Sequence, residues 1–322
     1  MKLLRIIPDG TNIPFMHWRR YSFPLSAFLS IIAVILFFTV NMNFGIDFTG
    51  GTMIEMRAKS DKISIHDVRV KAEKLHLGDV EVQAFEGKAD SGAKQLEVSM
   101  RFPLQPGGDK GQQVVVEKAR AAFADDFEFR RVEVVGPRVS GELVQAGTLG
   151  VVVSIIGVLI YLWFRFEWHF AVGAVIATLH DLVMTIGFYS VSQIEFNMTS
   201  IAAILTIVGY SLNDTVVVFD RIRELLRRYK KMPIKQLLDL AINQTLARTF
   251  LVSFTAMLAL LALVTFGGSV ISSFSWAMLV GVVVGTYSSI FIAAPVLIYL
   301  GLKTGSLDEP VSEGAAAKAK AA

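Results

Sequence analysis

Six stretches of this sequence, near positions 23–42, 144–164, 170–191, 198–219, 249–266 and 274–301, are long and apolar enough to cross a bilayer, which takes about 20 residues of helix. Hydrocarbon offers no partner to a backbone N–H or C=O, so each stretch must be a helix that satisfies its own backbone. The chain therefore reads as an α-helical polytopic membrane protein with six transmembrane helices. Its charged residues are only 18% of the total, against about 25% in soluble domains. It has no cysteine, which excludes disulfides and thiolate metal sites. Arg19 and Arg20 precede the first span, but no small-x-small cleavage site follows it, so it reads as an uncleaved signal anchor.

Lysine and arginine predict the orientation. The head (1–22) carries Lys2, Arg5, Arg19 and Arg20, and the segment 221–248 carries Arg221, Arg223, Arg227, Arg228, Lys230, Lys231, Lys235 and Arg248. The links 192–197 and 267–273 carry neither residue type. Head, basic loop and tail (302–322) are thus expected on the cytoplasmic side, and 43–143 outside. The basic loop reads as an amphipathic helix with Ile234, Leu237, Leu238 and Ala241 on one face. Its charge is explained by topology, so no nucleic acid is expected. The tail, ending GAAAKAKAA, reads as disordered.

The outside segment alternates in the manner of a soluble domain. A strand is expected over 52–58, a helix capped by Ser64 over 64–77, strands over 80–86 and 95–102 around a polar turn, a helix over 112–127 and a strand over 127–135. This βαββαβ order is the ferredoxin-like α+β architecture, which serves many functions. The domain has no catalytic cluster. His66 and His76 stand ten residues apart, so no metal site is expected. The sequence has no phosphate-binding loop, so ATP is not an expected energy source.

Within the spans, the acidic, basic and imidazole side chains are His180, Asp181 and Asp214. An ionised carboxylate near a membrane centre costs roughly 2.5–3.5 kcal/mol on insertion scales, and such groups tend to be paired or to carry protons or ions. Tyr210 and Ser211, at i−4 and i−3, fall on the face of Asp214, while Asn213 and Thr215 point elsewhere. Two readings are open for Asp181 and Asp214: titrating groups in a hydrated seam, or interhelical hydrogen-bond glue. Their depths differ by about 8 Å at 1.5 Å per residue, so a relay between them needs water or a hydroxyl. A tight pair within His180-Asp181 is not expected, because successive residues point about 100° apart. Arg248 is either a snorkelling cation or a counter-charge for Asp214. Small residues at four-residue spacing (Ala277, Gly281 and Gly285, with Ser289 next in register; Ala146, Gly150 and Ser154) fit helix packing within the bundle. Pro295 is expected to kink the last span.

Several motifs converge. Phe44-Gly45-Ile46-Asp47-Phe48-Thr49-Gly50-Gly51-Thr52 follows the first span, and Val135-Gly136-Pro137-Arg138-Val139-Ser140 precedes the second. Gly209-Tyr210-Ser211-Leu212-Asn213-Asp214-Thr215 lies in the fourth, and Asn243-Gln244-Thr245-Leu246-Ala247-Arg248-Thr249 opens the fifth. Together, over about residues 20–302, these closely resemble the SecF family, the smaller membrane subunits of bacterial SecDF protein-translocase accessory complexes. The head, the 86–94 turn and the tail match no motif.

The resemblance implies half of a twelve-span transporter of the resistance-nodulation-division superfamily, completed by a SecD-like partner. It implies a place beside the Sec translocon in the bacterial inner membrane, acting on unfolded preprotein. The coupling ion it implies is the proton, with no cofactor, metal or catalytic residue. Asp214 and Arg248 match the family's proton-pathway residues, and Asp181 falls in a similar His-Asp pair. Gly45, Asp47, Gly50 and Gly51 would form a hinge for the outside domain, or an ordinary tight turn. The competing functions are a proton-coupled small-solute exporter half and a passive translocon-stabilising scaffold.

Overall fold

The computed structural model describes residues 8, 10–60, 63–88 and 94–304. Lys2, Arg5, the middle of the 86–94 turn and the tail from 305 onward lie outside the described residues. The chain divides into two units. One comprises residues up to 43, 151–194 and 199 onward; the other comprises 44–150 with 195–198.

The smaller unit opens with a short helical turn, α2 (Ile46–Thr49), and continues β1 (Gly51–Ala58), α3 (Ile65–Glu73), β2 (Glu81–Lys88), β3 (Lys94–Phe102), α4 (Asp109–Phe123) and β4 (Phe127–Val135). The strands form one antiparallel sheet in the order β2-β3-β1-β4, the ferredoxin-like arrangement. The period-two pattern sends Ile54 and Met56 of β1 and Val98, Met100 and Phe102 of β3 to one face. There they pack with Val68, Ala72, Val115, Ala119 and Phe123 of the two helices. Ser64 caps α3 by accepting from the His66 N–H, as its sequence position leads one to expect. A bulge at Glu55/Met56 breaks the β1–β4 register.

The larger unit is built on helices whose apolar lengths meet the membrane criterion. Their bounds are α1 (Phe15–Thr39), α5 (Pro137–Arg165, beginning in the smaller unit), α6 (Trp168–Ser192), α7 (Met198–Arg228), α8 (Ile234–Phe266) and α9 (Gly268–Ser288). A π-helical turn over Ser289–Ala293 leads from α9 into α10 (Ala294–Tyr299). Six candidate spans result among the described residues. The last of them, with α6 and α7, is the most enclosed by protein. An aromatic cluster of Phe166, Phe170 and Phe219 ties the α5–α6 corner to α7.

Two expectations change here. The segment 221–248 is no separate loop helix: α7 and α8 run 31 and 33 residues, longer than a roughly 30 Å hydrocarbon layer needs, and meet at a turn over 229–233. In the small-residue stripe of the second span, Ala146 is exposed and a Cβ added at Gly150 meets nothing within 4 Å among the described residues.

Ahead of Pro295, where a kink is expected, the helix passes through the π turn. Proline has no N–H to donate, and its ring clashes with the carbonyl four residues back, so the regular ladder cannot continue through it. A wider turn absorbs the mismatch, and such turns recur at functional sites.

Candidate functional site

Asp181 and Asp214 sit on neighbouring helices, and serine and threonine hydroxyls surround both. Asp181, on α6, is fully buried. Its Oδ2 accepts from Ser211 Oγ of α7 and from Ser288 Oγ of α9, the latter at 2.7 Å. Its Oδ1 lies 3.0 Å from His180 Nδ1. The tight pair not expected from the helical angle therefore exists: the imidazole reaches round from the neighbouring position, which an argument from Cβ direction alone does not capture. Asp214, on α7, receives Thr249 Oγ1 of α8 at 2.6 Å on Oδ1 and Ser289 Oγ at 2.6 Å on Oδ2.

Consecutive serines at the α9–π junction thus serve different carboxylates. Ser288 serves Asp181 and Ser289 serves Asp214, and both serines are fully buried. Each also has a second acceptor within its own helix, Gly285 O at 3.1 Å for Ser288 and Thr286 O at 3.0 Å for Ser289. The two hydroxyls lie one on each carboxylate, and no bond between them joins the pairs among the described residues. Their signal in the sequence is the dipeptide Ser288-Ser289 ahead of Pro295.

Other polar residues complete the seam. Tyr210 donates to Ser253 Oγ at 3.3 Å, and Ser253 pairs with Thr286 at 2.7 Å. Toward the Ser192 end of α6, Ser200 and Ser273 pair at 2.8 Å, and Tyr189 donates to the Ser273 carbonyl. Close helix contact shapes the site: a Cβ at Gly281 would collide with Ile207, and one at Gly285 would press on Ser211.

The placement of the remaining residues differs from the sequence reading in particular ways. Ser211 lies one turn from Asp214 yet bonds Asp181, because α6 is the helix opposite it. Thr215 is buried and Asn213 exposed, and among the described residues neither bonds a carboxylate. Arg248 is exposed and forms no ion pair with Asp214, on which it acts only at longer range. The adjacent Thr249 makes the contact instead. Asn243, in the same motif, clasps the chain entering α1: Ile13 N donates to its Oδ1 and its Nδ2 donates to Ile13 O, both at 2.9 Å.

The glycine-rich motif forms a tied turn in the smaller unit. Gly45 N donates to Phe196 O at 2.8 Å, and Asp47 Oδ2 accepts from Met198 N at 2.8 Å, capping the start of α7. Gly51 has φ +128°, and a Cβ there would strike the Phe102 carbonyl, so both conformation and space require glycine. A Cβ at Gly50, whose φ is +70°, would strike Leu104. Gly136 lies against Asp109, and Pro137 opens α5.

Comparison with known proteins places this architecture. The family model described as protein export membrane protein SecD/SecF, C-terminal, matches residues 115–303, and that of the SecD/SecF GG motif matches residues 35–62. The protein translocase subunit SecDF of Brucella abortus is 46% identical over 95% of this chain, which spans 39% of that longer protein. The protein translocase subunit SecF of Rickettsia bellii is 41% identical over 91% of this chain and 95% of its own length. The crystal structure of a translocon-associated SecDF from Thermus superposes with a TM-score of 0.79 at 33% identity, over 90% of this chain and 39% of that one. The chain belongs to the SecD/SecF family of protein export membrane proteins, as a multi-pass subunit of the SecF type.

Proposed function

We propose that this chain, with a SecD-like partner, uses the proton-motive force to promote the later steps of protein export across the bacterial inner membrane. The observation that carries the reading is Asp214. It is a carboxylate within a membrane helix, held by two adaptable hydroxyls and by no ion pair among the described residues. A structural ion pair would fix its charge. Hydroxyls can serve it charged, as donors, or protonated, as acceptors. One charge moved through 100 mV supplies about 2.3 kcal/mol, enough to bias a two-state equilibrium by roughly fifty-fold.

In this reading the proton is the coupling ion, and Asp214, Asp181 and Arg248 handle it. Arg248, exposed at the mouth of the seam, acts on the Asp214 charge from a distance. The basic ends of α7 and α8 and both termini face the cytoplasm, as the lysine and arginine distribution indicates. The ferredoxin-like domain lies outside, near unfolded preprotein leaving the Sec translocon. The role is mechanical rather than enzymatic, in keeping with relatives named as translocase subunits.

The test is Asp214→Asn, co-expressed with the SecD-like partner, in potential-driven completion of preprotein translocation by inverted vesicles. Asparagine keeps size and hydrogen bonding but does not titrate. Normal assembly with loss of the potential-dependent step is the expected result. A wild-type response to the potential would reduce Asp214 to interhelical glue and the chain to a passive scaffold.

A further inference from the structure

We infer that Ser288 and Ser289 are positioning residues that couple Asp181 to Asp214, so that the two carboxyls take up protons as one unit. The inference rests on the proposed proton reading and adds Asp181 and the serine pair to it. Three observations carry it. The two carboxylates receive their hydroxyls from consecutive residues of one helix, at 2.7 and 2.6 Å. Both serines sit at the junction where α9 gives way to the π turn, so their backbone is held between two hydrogen-bonding patterns. Each serine has a second acceptor in reach, the carbonyl of Gly285 or of Thr286.

A serine hydroxyl has one proton to give. While Asp214 is charged, Ser289 gives it to Oδ2. When Asp214 gains a proton from solvent, its carboxyl becomes a donor. Ser289 can then turn its O–H to the Thr286 carbonyl and accept from the carboxyl. No bond to the serine oxygen breaks, and the proton that entered stays on the aspartate. Ser288 stands in the same relation to Asp181 and the Gly285 carbonyl. The two serines adjoin across one peptide unit, so a backbone shift that draws one hydroxyl toward its carboxylate, or lets it move away, carries the other with it. Asp181 lies nearer the Ser192 end of the seam, with Tyr189, Ser200 and Ser273 beyond it, which makes it the outer member of the pair.

Other titratable or charged groups also face the pair. His180 contacts Asp181 and faces Tyr287 of α9, Arg248 on α8 acts on Asp214, and Tyr210 on α7 feels the Asp214 charge. The test must therefore separate the serines from these groups.

The experiment is infrared titration of protonated aspartate carboxyl bands in the full chain, co-purified with its SecD-like partner in nanodiscs. The Asp214 band is assigned as the one missing in Asp214→Asn. Asp181→Asn is expected to move the half-protonation pH of Asp214 by at least three-fold in proton concentration. In the Ser288→Ala/Ser289→Ala background the same Asp181→Asn change is expected to move it by less than half as much on the logarithmic scale. Ser288→Thr/Ser289→Thr, which keeps both hydroxyls, should restore the effect; a background in which His180→Gln alone abolishes it would assign the coupling to the imidazole and overturn the inference. An Asp214 band that does not titrate, or that titrates identically with and without Asp181, overturns it too. If Asp214→Asn stops potential-driven export while this cross-effect is absent, the proton reading stands and the serine coupling falls. If the cross-effect is present while Asp214→Asn exports normally, the coupling stands and the proton reading falls.

Discussion

Gly285 is where helix packing and the carboxylate seam meet, and replacing it with alanine tests both. An added Cβ would lie 3.0 Å from Ser211 Cβ and 3.4 Å from Ser211 Cα, closer to the first than the roughly 3.5–4.0 Å of an unstrained carbon contact. Ser211 cannot relieve this by changing rotamer, because Cβ and Cα do not move with χ1. One helix must shift, and overpacking of this kind costs about 1–3 kcal/mol. The single variant alone is ambiguous, since alanine also gains about 1 kcal/mol of helix propensity over glycine. A double-mutant cycle with Ser211→Gly removes the ambiguity. The propensity gain appears whether position 211 holds serine or glycine, and the lost hydroxyl bond to Asp181 appears with either residue at 285. Only the clash differs. The cycle should return a coupling energy of about 1–3 kcal/mol, with Gly285→Ala better tolerated beside Ser211→Gly. The assay is reversible unfolding of the purified full chain in mixed SDS micelles. A coupling below about 0.5 kcal/mol would refute the close α7–α9 contact at this level.

The clasp on the α1 entry makes a local prediction. Asn243→Ala removes both hydrogen bonds to Ile13, and should reduce amide exchange protection around residues 13–16 by about 1–3 kcal/mol of local opening energy; unchanged exchange there would show that the clasp contributes nothing. Glu195, in the link between α6 and α7, makes a prediction about pH. Burial pushes its carboxyl above the usual range; Arg101 pulls it partly back, and Asp47, Glu133 and Glu55 add to the upward push. A raised folded value means stabilisation that is complete below the unfolded value of about 4.3 and is lost as pH rises through the folded value. Glu195→Gln should therefore flatten that limb of a plot of stability against pH, and an unchanged slope would refute the burial argument.

The architecture is legible in the sequence because its signals are collective. Each span repeats one physical requirement over some 20 residues, and β1 and β3 repeat theirs at every second position. The single carboxylates are legible for the opposite reason: a charge in an apolar run stands out. Their partners are not, and the failures share a cause. Position on one face of α7 pairs Ser211 with Asp214, but a hydroxyl bonds what faces it, and that is Asp181 on α6. Arg248 draws notice as the nearest opposite charge, whereas a long cation reaches outward and the short Thr249 side chain meets Asp214. In the sequence Ser289 reads as one more small packing residue and Ser288 as its neighbour, for successive residues on a regular helix point about 100° apart. Only two facing helices, each presenting a carboxylate at the π junction, give that divergence a use. A helical wheel finds neighbours within one helix, and the chemistry of this seam lies in what the next helix presents.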